Sequence, residues 1–315
     1  MDKTGFIGYL EGKALAPLTI ACYIRSVEVF FKHVKKEEIE VSKPDVLKFL
    51  EYLKNSRAQQ NITRRNNLIA LNHYFTFLYQ SGQIHTNPCI FLKIRGANKK
   101  KLYKIYTAEE LDQLFDAYYQ LFVRCFDDSH IPKNTRKQSA LSKERNALIL
   151  SILVNQGVIT SEIEKIELDD IDLMKATIKI RGGKNRLKER VLPLKASQIG
   201  LMMNYLQNIR PKLEEYHTAE SNKLFLALPA SGKKKTSSDM MSDVCRTITT
   251  IIKTIDKQFF NFVQVRTSVI TQWIKTQGLR KAQYMAGHGS VTATELYVVN
   301  NIEGLTDDIN KLHPF

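Results

Sequence analysis

The sequence predicts a mostly helical protein with a small β-sheet, divided into two domains. Apolar residues recur at helical spacing in most segments, as in the run from Leu18 to Val34. Two short apolar runs flank Gly182-Gly183, which favours one β-hairpin. A chain of 315 residues is long enough for two cores. We therefore expect domains at 1–97 and 107–315, joined by a basic linker at 98–106.

The first domain is predicted to contain only helices. One helix covers Leu18–Val34, and a second begins at Ser42–Asp45, where Ser42 can cap the helix and a proline occupies the first turn. A third helix covers Asn61–Tyr79 and is ended by Ser81-Gly82. A short final piece starts at Asn87-Pro88.

The second domain is predicted to open with helices. Thr107 and Glu110 have the spacing of a capping box, so a helix should run from there to about Val123. The polar segment 127–142 is interpreted as a surface insertion. The apolar run Glu144–Val154 predicts a buried helix that Gly157 can cap, followed by a short helix starting at 161.

The predicted hairpin follows these helices. Its strands are Thr177–Arg181 and Arg190–Leu194, and Gly182-Gly183 with Asn185 forms the turn. Further helices are expected around 196–213, 238–255, 266–276 and 280–285, with a last short helical run ending at Tyr297.

Composition limits the possible classes of function. A net charge of +15 and a pI near 9.5 indicate a polyanionic partner, most often nucleic acid, although a merely basic cytosolic protein stays an alternative. The four cysteines are scattered, which predicts neither a metal site nor disulfides and favours reduced thiols in the cytoplasm. The sequence shows no signal peptide and no apolar run of about 18 residues, so we expect no membrane contact.

Several basic residues are candidates for contacts with DNA phosphates. Arg64 and Arg65 enter a helix after a polar loop, and Arg186 lies in the hairpin turn. Lys99, Lys100 and Lys101 make the linker basic. For any single one of them, a solvated surface position is the alternative.

Arginine, histidine and tyrosine lie close together in the last fifth of the chain. His288 lies in a Gly-His-Gly turn, Tyr297 follows nine positions later, and Arg266 precedes both. A phenol can attack phosphorus, an arginine can bind non-bridging oxygens bidentately, and an imidazole can move a proton. The pattern therefore suits phosphodiester chemistry, with a packing tyrosine and a turn histidine as the alternative.

These motifs resemble the signature of tyrosine recombinases, the phage integrase family, in which R-x-S precedes L-G-H-x-S and T-x-x-Y. The first domain resembles the family's core-binding domain through Thr19–Phe30 and Asn87–Lys93. The resemblance implies a SAM-like helical core-binding domain and an integrase-type catalytic domain that form a C-shaped clamp around double-stranded DNA. It also implies a homo- or hetero-oligomer, a tetramer on paired DNA sites, and no cofactor or metal.

The resemblance also implies roles for single residues. Tyr297 would form a 3′-phosphotyrosine, assisted by Arg266 and His288, and Lys184 would protonate the leaving 5′ oxygen. The loop is one residue longer than the usual family form, so Lys188 is a second candidate for that acid. The ending Leu312-His313-Pro314 resembles Xer-type recombinases, in which the tail can pack on a neighbouring protomer; folding back on its own domain is the alternative.

Two positions depart from the family pattern. Ile159 stands where the family has its first catalytic arginine, and Val263 stands where it has a histidine. Either another cation, such as Lys165, Arg181 or Arg186, replaces the lost charge, or the protein is a catalytically impaired DNA-binding accessory that assists an active recombinase. A type IB topoisomerase, which uses the same chemistry, is a further alternative. The resemblance of the first domain to the integrase core-binding domain argues against it.

Overall fold

The computed structural model describes residues 2–96, 104–129, 131–182, 188–228 and 241–298. The chain divides into two compact units, Met1–Lys101 and Leu102–Phe315. Within the described part of the chain, no helix is both long and apolar enough to cross a lipid bilayer.

The described residues of the first unit contain four α-helices. They are α1 (Lys3–Gly12), α2 (Pro17–Val34), α3 (Lys43–Asn55) and α4 (Asn61–Gln80). The first of these was not predicted, because three of its ten residues are glycines, which disfavour a helix. Phe6 and Leu10 on α1 are nevertheless fully buried, and the Asp2 carboxylate accepts from the Gly5 amide at 2.9 Å and caps the helix.

Capping and aromatic packing hold the first unit together. Asp45 accepts hydrogen bonds from the Ser42 amide at 2.9 Å and from Lys36 Nζ at 2.9 Å, and so fixes the start of α3. A hydrogen bond from the Ser42 hydroxyl, followed by those from Lys36 and the Ser42 amide, lowers the pKa of Asp45 to about 2. In the core, Phe30 packs edge-on against Phe49, with ring centroids 5.1 Å apart. The short piece predicted after Asn87 is a series of turns, in which Phe91 has a positive φ of 61°.

The second unit begins with three helices. They are α5 (Ala108–Tyr119), α6 (Lys133–Gln156) and the short α7 (Thr160–Ile163). The Thr107–Glu110 capping box is present, as predicted. The prediction of a surface insertion is wrong for the second half of 127–142, because residues 133–142 continue into α6 and Leu141 is buried.

A three-stranded antiparallel sheet follows, in the order β1–β2–β3. Its strands are β1 (Ile171–Asp172), β2 (Thr177–Ile180) and β3 (Arg190–Pro193), and Ile178 pairs with Leu192. The hairpin strands were predicted; the two-residue β1 was not, since so short an edge strand leaves little pattern in the sequence. The turn residues 183–187 lie outside the described residues.

Six helices complete the second unit. They are α8 (Ala196–Asn204), α9 (Arg210–Glu214), α10 (Met241–Ile255), α11 (Phe262–Gln277), α12 (Leu279–Ala286) and α13 (Val291–Val298). A π-helical turn, Tyr205–Ile209, joins the first two. Helix α11 is buried over most of its first ten residues, so it runs through the core. It starts four residues before the predicted helix, because Asn261 caps it by accepting from the Gln264 amide. The tail from residue 299 onward lies outside the described residues.

Candidate active site

Arg266 lies at the centre of the candidate site, on the buried face of α11. Only 5% of it is exposed. Its Nη1 donates to the Gly157 carbonyl at 2.6 Å and its Nη2 to the Ala286 carbonyl at 2.8 Å. Both carbonyls belong to helix C-termini, which favour a cation. Burial lowers the pKa of Arg266, and the Glu162 carboxylate opposes that shift.

His288 occupies the turn between α12 and α13. Gly287 precedes it in the left-handed conformation, with φ of 73°. The His288 amide donates to the Gln283 carbonyl at 3.0 Å, and the Gln283 side chain donates to the His288 carbonyl at 3.2 Å. These bonds hold the imidazole against Arg266, whose Nη2 lies 3.4 Å from the ring Nε2.

The environment of His288 keeps its ring neutral. Burial, followed by the positive charges of Arg266 and Arg190, lowers the pKa of His288 to about 4, while Glu162 acts in the opposite direction. Because this value is far below neutrality, the imidazole is uncharged near pH 7. It can therefore accept or donate one hydrogen bond at each nitrogen, depending on the tautomer.

Tyr297 lies on α13 and packs directly on His288. The two rings are stacked, with centroids 5.4 Å apart and planes 22° from parallel. The side chain is half-buried, and its proximity to Arg266 opposes the effect of burial, which lowers the pKa of that guanidinium. The structure thus brings together the arginine, the histidine and the tyrosine that the sequence predicted as catalytic.

A buried ion pair, which the sequence analysis did not single out, lies behind this group. Arg190 on β3 is fully buried and donates to both oxygens of Glu162, from Nη1 at 2.7 Å and from Nη2 at 3.1 Å. Its Nε donates to the Met285 carbonyl at 2.8 Å. Arg190 therefore connects the sheet, α7 and the end of α12. An arginine at the start of a predicted strand gave no sign of this role, although alternation places residue 190 on the core face of β3.

The two aliphatic substitutions lie in the elements around Arg266. Ile159 is half-buried at the start of α7, where its amide donates to Glu162 at 2.9 Å. Val263 is 59% exposed in the first turn of α11. Neither side chain has a hydrogen-bond donor.

Two of the cations considered as replacements for the lost charge are within the described residues. Arg181 is engaged by Asp170 and Glu167, each at 2.7 Å, and Lys165 is exposed. Arg181 therefore already has two carboxylate partners. The third candidate, Arg186, lies outside the described residues, as does Lys184.

Only some of the residues predicted as the general acid or as DNA contacts lie within the described part of the chain. Lys188, the second candidate for the acid, is exposed, and its amide donates to the Gly287 carbonyl at 2.8 Å. The Arg64 guanidinium donates hydrogen bonds to the Leu50 carbonyl, at 3.0 Å, and to the Asn61 side chain. Arg65 is half-buried on the same helix. Lys99, Lys100 and Lys101 lie outside the described residues.

Two family models match this chain. The phage integrase family model matches residues 129–303, and the model for the phage integrase N-terminal SAM-like domain matches residues 4–82. The chain belongs to the phage integrase family. It carries the family's tyrosine-recombinase architecture, with the SAM-like domain first and the integrase domain second.

Curated relatives match this family member over nearly its whole length. It is 27% identical to the tyrosine recombinase XerC of Oceanobacillus iheyensis, over 98% of this chain and 94% of the relative. It is 25% identical to the tyrosine recombinase XerD of Chlamydia muridarum, over 96% of this chain and 91% of the relative.

Solved structures share the fold of this integrase-family chain. The recombinase XerH bound to a palindromic difH substrate matches with a TM-score of 0.67 and 18% identity, over 96% of this chain and 82% of that one. A lambda integrase dimer bound to a COC′ core site matches with a TM-score of 0.60 and 13% identity, over 93% and 92% of the two chains.

Proposed function

We propose that this protein is a site-specific DNA recombinase that cuts and rejoins DNA through a 3′-phosphotyrosine at Tyr297. One observation carries the proposal: the Tyr297 ring is stacked on His288, whose Nε2 lies 3.4 Å from Arg266 Nη2, so a nucleophile, an imidazole and a phosphate-binding cation meet at one point. The Xer relatives, which are named tyrosine recombinases, support the same activity.

Each residue has a role that follows from its chemistry. The phenol of Tyr297 releases its proton to solvent as its oxygen attacks phosphorus; the bond to the 5′ oxygen breaks, and the 3′ phosphate stays on the enzyme. Arg266 stabilises the charge on the non-bridging oxygens, since its guanidinium is held rigidly by two carbonyls. We assign protonation of the 5′ oxygen to Lys184, with Lys188 as the second candidate.

The substitutions at Ile159 and Val263 predict a slow reaction. A preorganised donor that faces developing negative charge contributes roughly 10²- to 10³-fold in rate. An aliphatic residue at position 159 supplies no such donor. We therefore expect the recombinase to be active but slower than a relative that has arginine at this position.

The proposal extends to the domains and their partners. We propose that residues 1–97 and 107–315 both contact double-stranded DNA, with 98–106 as a basic linker, and that the protein acts as an oligomer on paired DNA sites. The solved relatives are described as bound to DNA substrates, and one of them as a dimer, which supports this assembly. Such a recombinase would work in the cytoplasm, where chromosomal or mobile-element DNA is accessible.

Covalent trapping tests the proposed function. Wild type, Tyr297→Phe and Tyr284→Phe would be expressed in cells that carry the native DNA flanking the gene, and protein–DNA adducts that survive denaturation would be measured. Tyr284 is a matched control because it is an exposed tyrosine on the neighbouring helix α12. We expect adducts with wild type and with Tyr284→Phe, and none with Tyr297→Phe. Sequence-specific binding without adducts would instead support the accessory protein.

A further inference from the structure

Thr294 bonds to the ring nitrogen of His288 that points away from Arg266. Its Oγ1 lies 2.9 Å from Nδ1 of the imidazole. Thr294 is fully buried and belongs to α13, three residues before Tyr297. The hydroxyl therefore links the histidine turn to the helix that carries the tyrosine.

The partners of the two ring nitrogens determine where the proton lies. Nε2 of His288 faces Arg266 Nη2 at 3.4 Å, and a guanidinium can only donate. Nε2 must then be the accepting nitrogen. A neutral imidazole carries its single proton on the other nitrogen, so Nδ1 carries it and donates to Thr294 Oγ1.

The charges around the ring support a neutral histidine. Arg266 faces it from α11, Arg190 from β3, Glu162 from α7 and Tyr297 from α13. Two guanidinium groups and one carboxylate leave a net positive surrounding, which disfavours an imidazolium. The ring therefore works as one of two neutral tautomers, and its hydrogen bonds select between them.

We propose that Thr294 is a positioning residue that fixes His288 as the Nδ1–H tautomer and keeps Nε2 free of a proton on the side of Arg266. The consequence for catalysis rests on the proposed function. An unprotonated Nε2 can accept from Arg266 and hold its guanidinium in place for the phosphate oxygens, whereas the opposite tautomer would point an N–H group at that cation. Thr294 would thus position the phosphate-binding arginine through His288 without contacting the DNA.

Nitrogen spectroscopy on the full-length, DNA-free protein tests this assignment. The chain has 7 histidines, so the ¹⁵N-labelled ring signals of His288 would be identified by their loss in His288→Gln. We expect a protonated Nδ1 and an unprotonated Nε2 in wild type. Thr294→Ser keeps the hydroxyl and should give the same pattern, while Thr294→Val removes it and should lower the Nδ1–H fraction by about half or more.

Two results would overturn the proposal. One is a wild-type His288 ring protonated at Nε2. This measurement uses the wild-type protein alone, so it tests the proposal even if Thr294→Val fails to fold. The other is a folded Thr294→Val protein with an unchanged tautomer.

Adduct formation is the second readout. We expect it to fall about tenfold or more in Thr294→Val and to recover in Thr294→Ser, since a preorganised donor to the developing negative charge contributes roughly 10²- to 10³-fold. A Thr294→Ser protein as slow as Thr294→Val would contradict the role of the hydroxyl. Wild type without adducts but with the Nδ1–H ring would refute the proposed function alone, because the spectra are recorded without DNA.

Discussion

At the residue scale, the Arg190–Glu162 pair determines how the candidate site is held. Both side chains are buried, and Glu162 also lies 3.9 Å from Arg266. The carboxylate thus balances two guanidinium groups next to His288. Removing either partner of a buried pair leaves an uncompensated charge, which costs more than the intact pair contributes.

Arg190→Ala should lower the free energy of unfolding of the second unit by about 3–5 kcal/mol, because Glu162 loses its bidentate partner. Fluorescence of the single tryptophan, Trp273, measures this in urea, since that residue packs against the core of the second unit. Arg246→Ala is the control, because its ion pair with Asp243 is exposed and should contribute below about 1 kcal/mol. Equal effects of the two variants would contradict the assigned role of Arg190.

Ile159→Arg should accelerate adduct formation about tenfold or more, because it returns a donor to the position where the family has an arginine. Thr160→Arg is the matched control, since it adds the same charge at the exposed neighbouring position. Rates of adduct formation on one DNA substrate would be compared at equal salt. No acceleration, or equal acceleration by both variants, would show that position 159 does not limit the reaction.

The sequence identified the three residues that meet at the site but not the pair behind them. Arg266, His288 and Tyr297 stand at motif spacings, so they are visible without coordinates. Arg190 and Glu162 are 28 residues apart in the sequence, and only the fold brings them together. The sequence showed Thr294 as part of the T-x-x-Y motif but did not predict its contact with His288. That contact, with Nδ1, depends on the orientation of the imidazole.

At the element scale, the end of α12 shows how tightly the histidine turn is packed. Gly287 has φ of 73°, and a Cβ atom there would lie 2.8 Å from Arg190 Nη1 and 3.0 Å from the Lys188 carbonyl. The glycine is thus required both for its backbone conformation and for its lack of a side chain.

Gly287→Ala should destabilise the second unit by about 1–3 kcal/mol and reduce adduct formation, because the turn must shift away from Arg190. Tryptophan fluorescence in urea and the trapping assay measure the two effects. Gly278→Ala is the control for backbone strain alone, since this glycine of the second unit has a φ of 79° but no atom lies within 4 Å of the added Cβ. An intact site in Gly287→Ala would show that the turn tolerates displacement.

The helices were predictable where their apolar spacing was regular or a cap was present. Helix α3 begins at its predicted Ser42 cap, whereas α1 contains three glycines, which disfavour a helix. The first turns of α6 are polar and follow Pro132, so they look like a loop in the sequence. They are helical because they continue a helix that the core stabilises, which is a tertiary effect.

At the scale of the whole molecule, the excess of positive charge should govern DNA affinity. A net charge of +15 implies that binding displaces many counterions from the phosphates. This binding is independent of sequence, so it can be measured on any duplex before the target site is identified.

The affinity for a random duplex should fall steeply with salt, with a slope of log K against log salt of about −5 or steeper. Arg65→Ala should make this slope shallower by about one, as expected for the phosphate contact that the sequence predicts for this residue. Lys175→Ala is the control, because this exposed lysine pairs with Asp172 in the turn between β1 and β2. Fluorescence anisotropy at several salt concentrations gives both slopes, and identical slopes for wild type and Arg65→Ala would remove Arg65 from the interface.

The most direct test of the central claim is to locate the DNA attachment on the protein. Trapped wild-type adducts would be digested with nuclease and protease, and the modified peptide would be sequenced by mass spectrometry. We predict a nucleotide linked through its 3′ phosphate to Tyr297, in the peptide that also contains Thr294. A nucleotide on any other residue would contradict the account, because the proposed nucleophile is the tyrosine that stacks on His288.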